Sequence, residues 1–155
     1  MDFRLSGLSV APFAPLFGLS DAELAARNAV RRVCDAKPGF PCRVSLMDAE
    51  PGERVLLLHH EHQPAATPYR AAGPIYVREA ARQTFSEVNA VPEQVRSRLL
   101  SVRAYDPSGM MVDAEVIDGV ELEGLIGRFF KGREVDYLHA HYARRGCYSC
   151  RIDRA

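Results

Sequence analysis

Two tetrapeptides constrain this chain more than anything else in it: Glu50-Pro51-Gly52-Glu53 and Asp106-Pro107-Ser108-Gly109. Proline presets the backbone of a turn and glycine accepts the positive φ that closes one, so each tetrapeptide reverses the chain sharply. β-Favouring runs flank both, residues 42–48 and 54–62 around the first and 102–105 and 110–117 around the second. Each pair predicts an antiparallel hairpin. Within 110–117, Val112, Ala114 and Val116 fall on one face while Asp113 and Glu115 fall on the other, the period of a strand with one wet side. Residues 134–142 and 148–153 predict a further strand pair around Ala143-Arg144-Arg145-Gly146-Cys147, and 74–79 a short strand running into a helix over 80–85.

Helical signals are shorter. Ser20 and Glu23 make a capping-box pattern, with Leu19 and Leu24 placed to staple around it, which predicts a helix of about two turns. Residues 29–35 suit either a continuation of that helix or a strand. Pro92 at a first helical position predicts a helix over 93–100. Asp118 and Glu121 form another box, followed by Leu122, Leu125, Ile126 and Phe129 at helical spacing and Gly132 as a stop. Strands outnumber helices and are joined by hairpins. The expected fold class is therefore α+β, a mostly antiparallel sheet built from hairpins with a few short helices, in a single domain spanning 1–155.

Charge narrows the function classes. Lys+Arg and Asp+Glu are 20 each, so the formal net charge is zero, and no overall field gathers nucleic acid or anionic membrane. Of the 20 basic residues 18 are arginine, a side chain that stays charged when partly buried and grips carboxylates or phosphates with paired hydrogen bonds. A GC-rich genome accounts for the same bias. Pro12 and Pro15 interrupt the apolar N-terminal stretch, which makes it a poor export signal. The longest aliphatic run, residues 55–58, is far short of the ~20 residues a membrane span needs. The expected location is a reducing cytoplasm, where the four cysteines are thiols, ligands or redox groups.

All five histidines lie in two clusters. His139 and His141 are two apart on a predicted strand, so both imidazoles project from one face. In His59-His60-Glu61-His62, His60 and His62 share a face with Leu56 and Leu58. Neutral imidazole is a common ligand for zinc, copper, iron and nickel, and adjacent strands would bring four such rings together. The plain alternative is solvent-facing strand ends. Cys147 and Cys150 form one Cys-x-x-Cys, a recurrent zinc half-site. It needs two further ligands, for which Cys34, Cys42 or histidines are available. A thioredoxin-like role would want a helix after the pair, and only five residues remain. Two unrelated cysteines are the plain alternative. Arg144, Arg145, Arg151 and Arg154, interleaved with Tyr142 and Tyr148, suit an anionic small molecule or simply a solvated surface.

Four stretches, Pro38-Gly39-Phe40-Pro41-Cys42-Arg43-Val44-Ser45-Leu46, 50–64, 67–79 and 139–154, resemble a bacterial family known as domain of unknown function 1203. The resemblance runs over nearly the whole chain and implies a stand-alone cytosolic bacterial protein. It carries over no catalytic residue.

Three functional readings follow. One is a metal-free binding or interaction module, oligomeric state open, whose hairpin loops and arginines make the contacts. The second is a metal-binding protein or metal-dependent small-molecule enzyme, using zinc or another divalent metal. Its ligands would be His139 and His141, then His60 and His62, with Cys147 and Cys150 as a separate site and Arg43 or Arg144 orienting an anionic substrate. The third is a metal-free thiol enzyme acting through Cys42 or Cys147.

Overall fold

The computed structural model describes residues 1–155. In chain order its elements are β1 (Phe3–Ser6), α1 (Asp21–Ala25), β2 (Ala29–Val33), β3 (Arg54–Gln63), β4 (Ala71–Arg78), β5 (Ser86–Val88), α2 (Glu93–Arg96), β6 (Leu99–Tyr105), β7 (Met111–Asp118), α3 (Leu122–Phe129), β8 (Tyr137–Tyr142) and β9 (Tyr148–Arg154). A six-stranded sheet runs β5-β1-β9-β8-β6-β7 and a three-stranded sheet β2-β3-β4, with every pairing antiparallel. The α+β architecture read from the sequence is the observed one. No helix is long and apolar enough to cross a membrane.

The second hairpin forms as predicted. Gly109 takes φ 86, and the Asp106 carboxylate accepts from the backbone N–H of Ser108 at 2.9 Å and Met110 at 3.0 Å. The first reversal also exists, with Gly52 at φ 91, but residues 42–48 are not a strand. They coil, pinned by isolated bridges of Pro41 to Asp48 and Cys42 to Tyr76. The reason lies in where their apolar side chains go. Val44 belongs to the core under the small sheet and Leu46 to the core under the large one, so Leu46 adopts φ 51 to turn away. β3 therefore pairs with β2 and β4.

Residues 29–35 resolve into strand β2, because Asn28 at φ 53 ends the helical run. The capping box at Ser20 and Glu23 is present, though α1 has only five residues. Residues 80–85 form no helix; the Phe85 backbone is instead engaged by Gly7 and Val44 at 2.8 and 2.9 Å. Pro92 is an N-cap rather than a first helical residue, and α2 stops at Arg96 so that Leu99 can open β6. On β7 neither face is buried, with Val112 and Val116 exposed beside Asp113 and Glu115, because it is the sheet's edge. Strands β1 and β5 carry no turn signature in the sequence.

α3 forms as its spacing predicts. Leu122, Leu125, Ile126 and Phe129 sit against Leu100, Val102, Leu138, Ala140 and Ile152 of the large sheet, each buried side chain contributing about 1.5–3 kcal/mol. Leu138, Ala140 and Tyr142 of β8 face that core. The alternate residues Tyr137, His139 and His141 must then face the other way, toward the small sheet.

Two glycine substitutions separate space from strain. A Cβ on Gly7 would stand 2.3 Å from the Val44 carbonyl oxygen, whereas one on Gly124 of α3 meets nothing within 4 Å. Gly7→Ala should cost about 1–3 kcal/mol and Gly124→Ala should gain about 0.5–1 kcal/mol, both read by urea unfolding.

Candidate functional site

His139 and His141 lie centrally in the large sheet, on its face opposite α3, and are 3% and 1% exposed. β3 of the small sheet crosses that face and adds His62. The ring centres of His62 and His141 are 5.0 Å apart, of His62 and His139 6.4 Å, and of His139 and His141 6.5 Å.

Two β-bulges assemble the cluster. In the β3–β4 ladder Glu61 pairs with Ala72 and Gln63 with Ala71, so His62 is the extra residue. A bulge lets consecutive side chains share a direction. Gln63 turns inward to donate to the Tyr137 hydroxyl at 2.9 Å, while His62 turns toward His141. In the β8–β9 ladder His141 pairs with Tyr148 and Ala140 with Cys150, leaving Ser149 as the extra residue. Without it Tyr148 would share the apolar face of Cys150. With it the Tyr148 ring stacks on His62 at 5.3 Å and 12° and meets His139 and His141 edge-on at 5.1 and 5.8 Å.

Four ring nitrogens in the cluster are buried and have no hydrogen-bond partner: both of His62, Nδ1 of His139 and Nε2 of His141. The second nitrogen of His141, Nδ1, lies 3.0 Å from the Gly146 carbonyl oxygen. That oxygen only accepts, so Nδ1 carries the proton and Nε2 presents a lone pair. Desolvation is the main force on all three rings and lowers their pKa values, to about 4 for His62 and His141 and about 3 for His139. The Arg103 guanidinium pushes each in the same direction. The rings are neutral at pH 7, the form that binds metal. They do not make a ready coordination shell as they stand, since no three His, Cys, Asp or Glu side chains close on one point.

The other residues singled out from the sequence fall elsewhere. His60 shares the face of Leu56 and Leu58 as expected and lies at the margin of the cluster, between Phe13, edge-on at 5.9 Å, and the Tyr148 ring at 6.5 Å; His59 is exposed on the opposite face. Cys147 stays in the β8–β9 hairpin connection, whereas Cys150 lies inside β9. Cys150 sits in the apolar core with its thiol pushed up to about 12 by burial, and Cys147 is half-buried at the hairpin. Cys42 is fully buried, its sulfur accepting from the Arg78 N–H at 3.3 Å. Arg154 is structural, donating to the carbonyls of Phe130, Gly132 and Val135 at the end of α3, and Arg151 pairs with Asp153 over the Tyr137 ring. Arg43 is buried and donates to the Tyr148 carbonyl at the flank of the cluster, and Arg144 is exposed in the β8–β9 turn. Sequence reasoning grouped Tyr148 with the C-terminal arginines rather than the histidines and missed Gln63, Arg103 and Tyr105, whose ring lies 5.1 Å from His139. Only Tyr137, at period two with His139 and His141, carried a legible signal.

A family model described as "Protein of unknown function (DUF1203)" matches residues 39–154. The chain belongs to this family. The matched span of this DUF1203 chain contains every member of the imidazole cluster. Comparison with curated proteins and with solved structures gives no match.

The depressed imidazole pKa values have a consequence for stability in metal-free protein. The unfolded chain takes up protons near pH 6.5 and the folded cluster only near 4 and 3. Stability is therefore full above 6.5 and falls as the pH is lowered toward the folded values. A ring neutral when folded and charged when unfolded contributes a slope of about 1.4 kcal/mol per pH unit. Urea unfolding with chelator present should show stability dropping between pH 7 and 5; a flat profile there would contradict the buried neutral cluster.

Proposed function

We propose that this chain is a metal-binding protein that holds one divalent transition-metal ion, zinc or a neighbour, on His62, His139 and His141. One observation carries the reading: three neutral imidazoles from two different sheets meet, with four ring nitrogens buried and unbonded. Each such orphan costs about 1–3 kcal/mol, and one cation would engage three of the four. Rings sharing a tetrahedral ion at ~2.0–2.1 Å from nitrogen stand about 5 Å apart centre to centre. The His62–His141 pair already does, and His139 closes the rest by side-chain rotation of roughly 1 Å.

Three protein ligands leave a fourth position for water or substrate. Arg103, unpaired with any carboxylate, favours an anion there. Such a position would supply Lewis-acid activation of water or a carbonyl. Four free thiols fit a reducing bacterial cytoplasm.

The competing reading is a metal-free binding module. Flanking arginines and the lack of a closed shell favour it. Metal analysis of untagged protein decides between them. We expect about one equivalent of bound metal, a melting temperature lowered by chelation, and a visible absorption band of tetrahedral type on cobalt substitution. His62→Ala, at a half-buried position, should abolish all three while circular dichroism stays unchanged, and His59→Ala and His60→Ala should leave stoichiometry intact. Metal-free protein that takes up no zinc or cobalt, with melting indifferent to chelator, would overturn the reading in favour of the module.

A further inference from the structure

Beyond the imidazole cluster lies a second cavity, of about 800 Å³, between the loop of residues 35–41 and the turn of the β8–β9 hairpin. Arg43, Arg98, Arg144, Arg145 and Cys147 line it, with Phe40, Tyr76 and Leu99 among its apolar walls and Asp35 and Asp118 as its acidic residues. Three of its four arginines have no acidic partner; only Arg98 is paired, gripping Asp48 through both guanidinium nitrogens at 2.6 and 3.0 Å.

Arg43 is the unusual member. It is 3% exposed, yet its only hydrogen bonds run from Nε to the Tyr148 carbonyl at 2.7 Å and from Nη1 to the Pro41 carbonyl at 2.6 Å. Those acceptors hold the guanidinium in place without neutralising it, and its third nitrogen, Nη2, makes no hydrogen bond. Its Cζ lies 4.9 Å from the centre of the Tyr142 ring, which also takes Arg98 at 5.1 Å. A buried cation whose neighbours are carbonyls, an aromatic ring and a second cation is an incomplete electrostatic arrangement. Arg144 and Arg145 at the cavity's exposed side add charge of the same sign.

We infer that this cavity binds a small organic oxyanion, a carboxylate or phosphate on a flat apolar body, with its anionic group on Arg43, Arg144 and Arg145 and its body against Phe40 and Tyr76. Guanidinium forks match both oxyanions with paired, charge-assisted bonds, and the cavity has the volume of a small-molecule site. The site shares no side chain with the imidazole cluster, to which Arg43 is tied only through the Tyr148 carbonyl.

The test uses phenyl phosphate, benzoate and uncharged benzamide as probes at low ionic strength, followed by backbone amide NMR. Binding is also read through Cys147, the one cysteine that is not buried, as protection from iodoacetamide. We expect saturable shifts at Phe40, Tyr76 and Arg98 with at least one anion, protection of Cys147 by that anion, and no response to benzamide. The stronger of the two anions assigns the head group as phosphate or carboxylate. The exposed pair Arg144→Ala/Arg145→Ala should weaken binding roughly tenfold or more, about 1.4 kcal/mol, with unchanged melting. Arg43→Lys, which keeps the charge but loses the fork, should weaken it similarly. Failure of both anions to saturate below ~10 mM, a Kd in the weak range, would overturn the proposal. So would equal binding of benzamide, or a Kd unmoved by the double substitution.

Discussion

Burial of the Tyr148 ring between the two sheets is the contact on which the rest of the molecule's polar architecture depends. That ring stacks on His62 of the small sheet and lies edge-on to His139 and His141 of the large one, and its backbone carbonyl holds the Arg43 guanidinium. A single side chain thereby couples the crossing strand β3, the central strand β8 and the coil around Arg43. It reaches that place because Ser149 is inserted into the β8–β9 ladder; an uninterrupted strand would have turned it onto the helix-facing core.

The large sheet is consequently two different surfaces. Toward α3 it is mostly apolar, with Leu138, Ala140, Cys150 and Ile152 packed with the helix and Tyr142 donating its hydroxyl to Gln94. Toward the small sheet it carries histidine, tyrosine and arginine, which bury area as well as leucine does but bring nitrogens and hydroxyls that need partners. Gln63 and Tyr137 satisfy one another there. The imidazoles do not, and the cost is limited by keeping them uncharged, as burial and Arg103 both dictate. An apolar layer would have packed two sheets with less penalty, so the polar layer calls for an explanation other than stability.

How much of this was legible follows from range. Signals confined to a few residues came through: the capping boxes at Ser20 and Asp118, the hairpin turn at Gly109, the period of α3, and the shared face of His139 and His141. Signals that depend on a distant partner did not. Residues 42–48 have strand composition but divide their side chains between two cores, and residues 80–85 have helical composition but lend the Phe85 backbone to Gly7 and Val44. The imidazole pairing was legible only as two separate two-residue patterns. Period two places His60 and His62 alike, whereas His62, at the bulge, reaches His141 and His60 stays between Phe13 and Tyr148.

The hairpin sends the two cysteines of the Cys-x-x-Cys spacing to different surroundings. In a zinc half-site both thiolates emerge from one turn toward one point. In this chain Cys147 stays in the hairpin connection, beside Gly146 with φ 76 and a carbonyl committed to His141, whereas Cys150 lies inside strand β9. Cys150 is carried into the apolar core, where only the neutral thiol is tolerated, and Cys147 is left at the mouth of the arginine-lined cavity. The inserted serine places Tyr148 among the histidines, while the two cysteines differ because one stays in the hairpin connection and the other enters the strand.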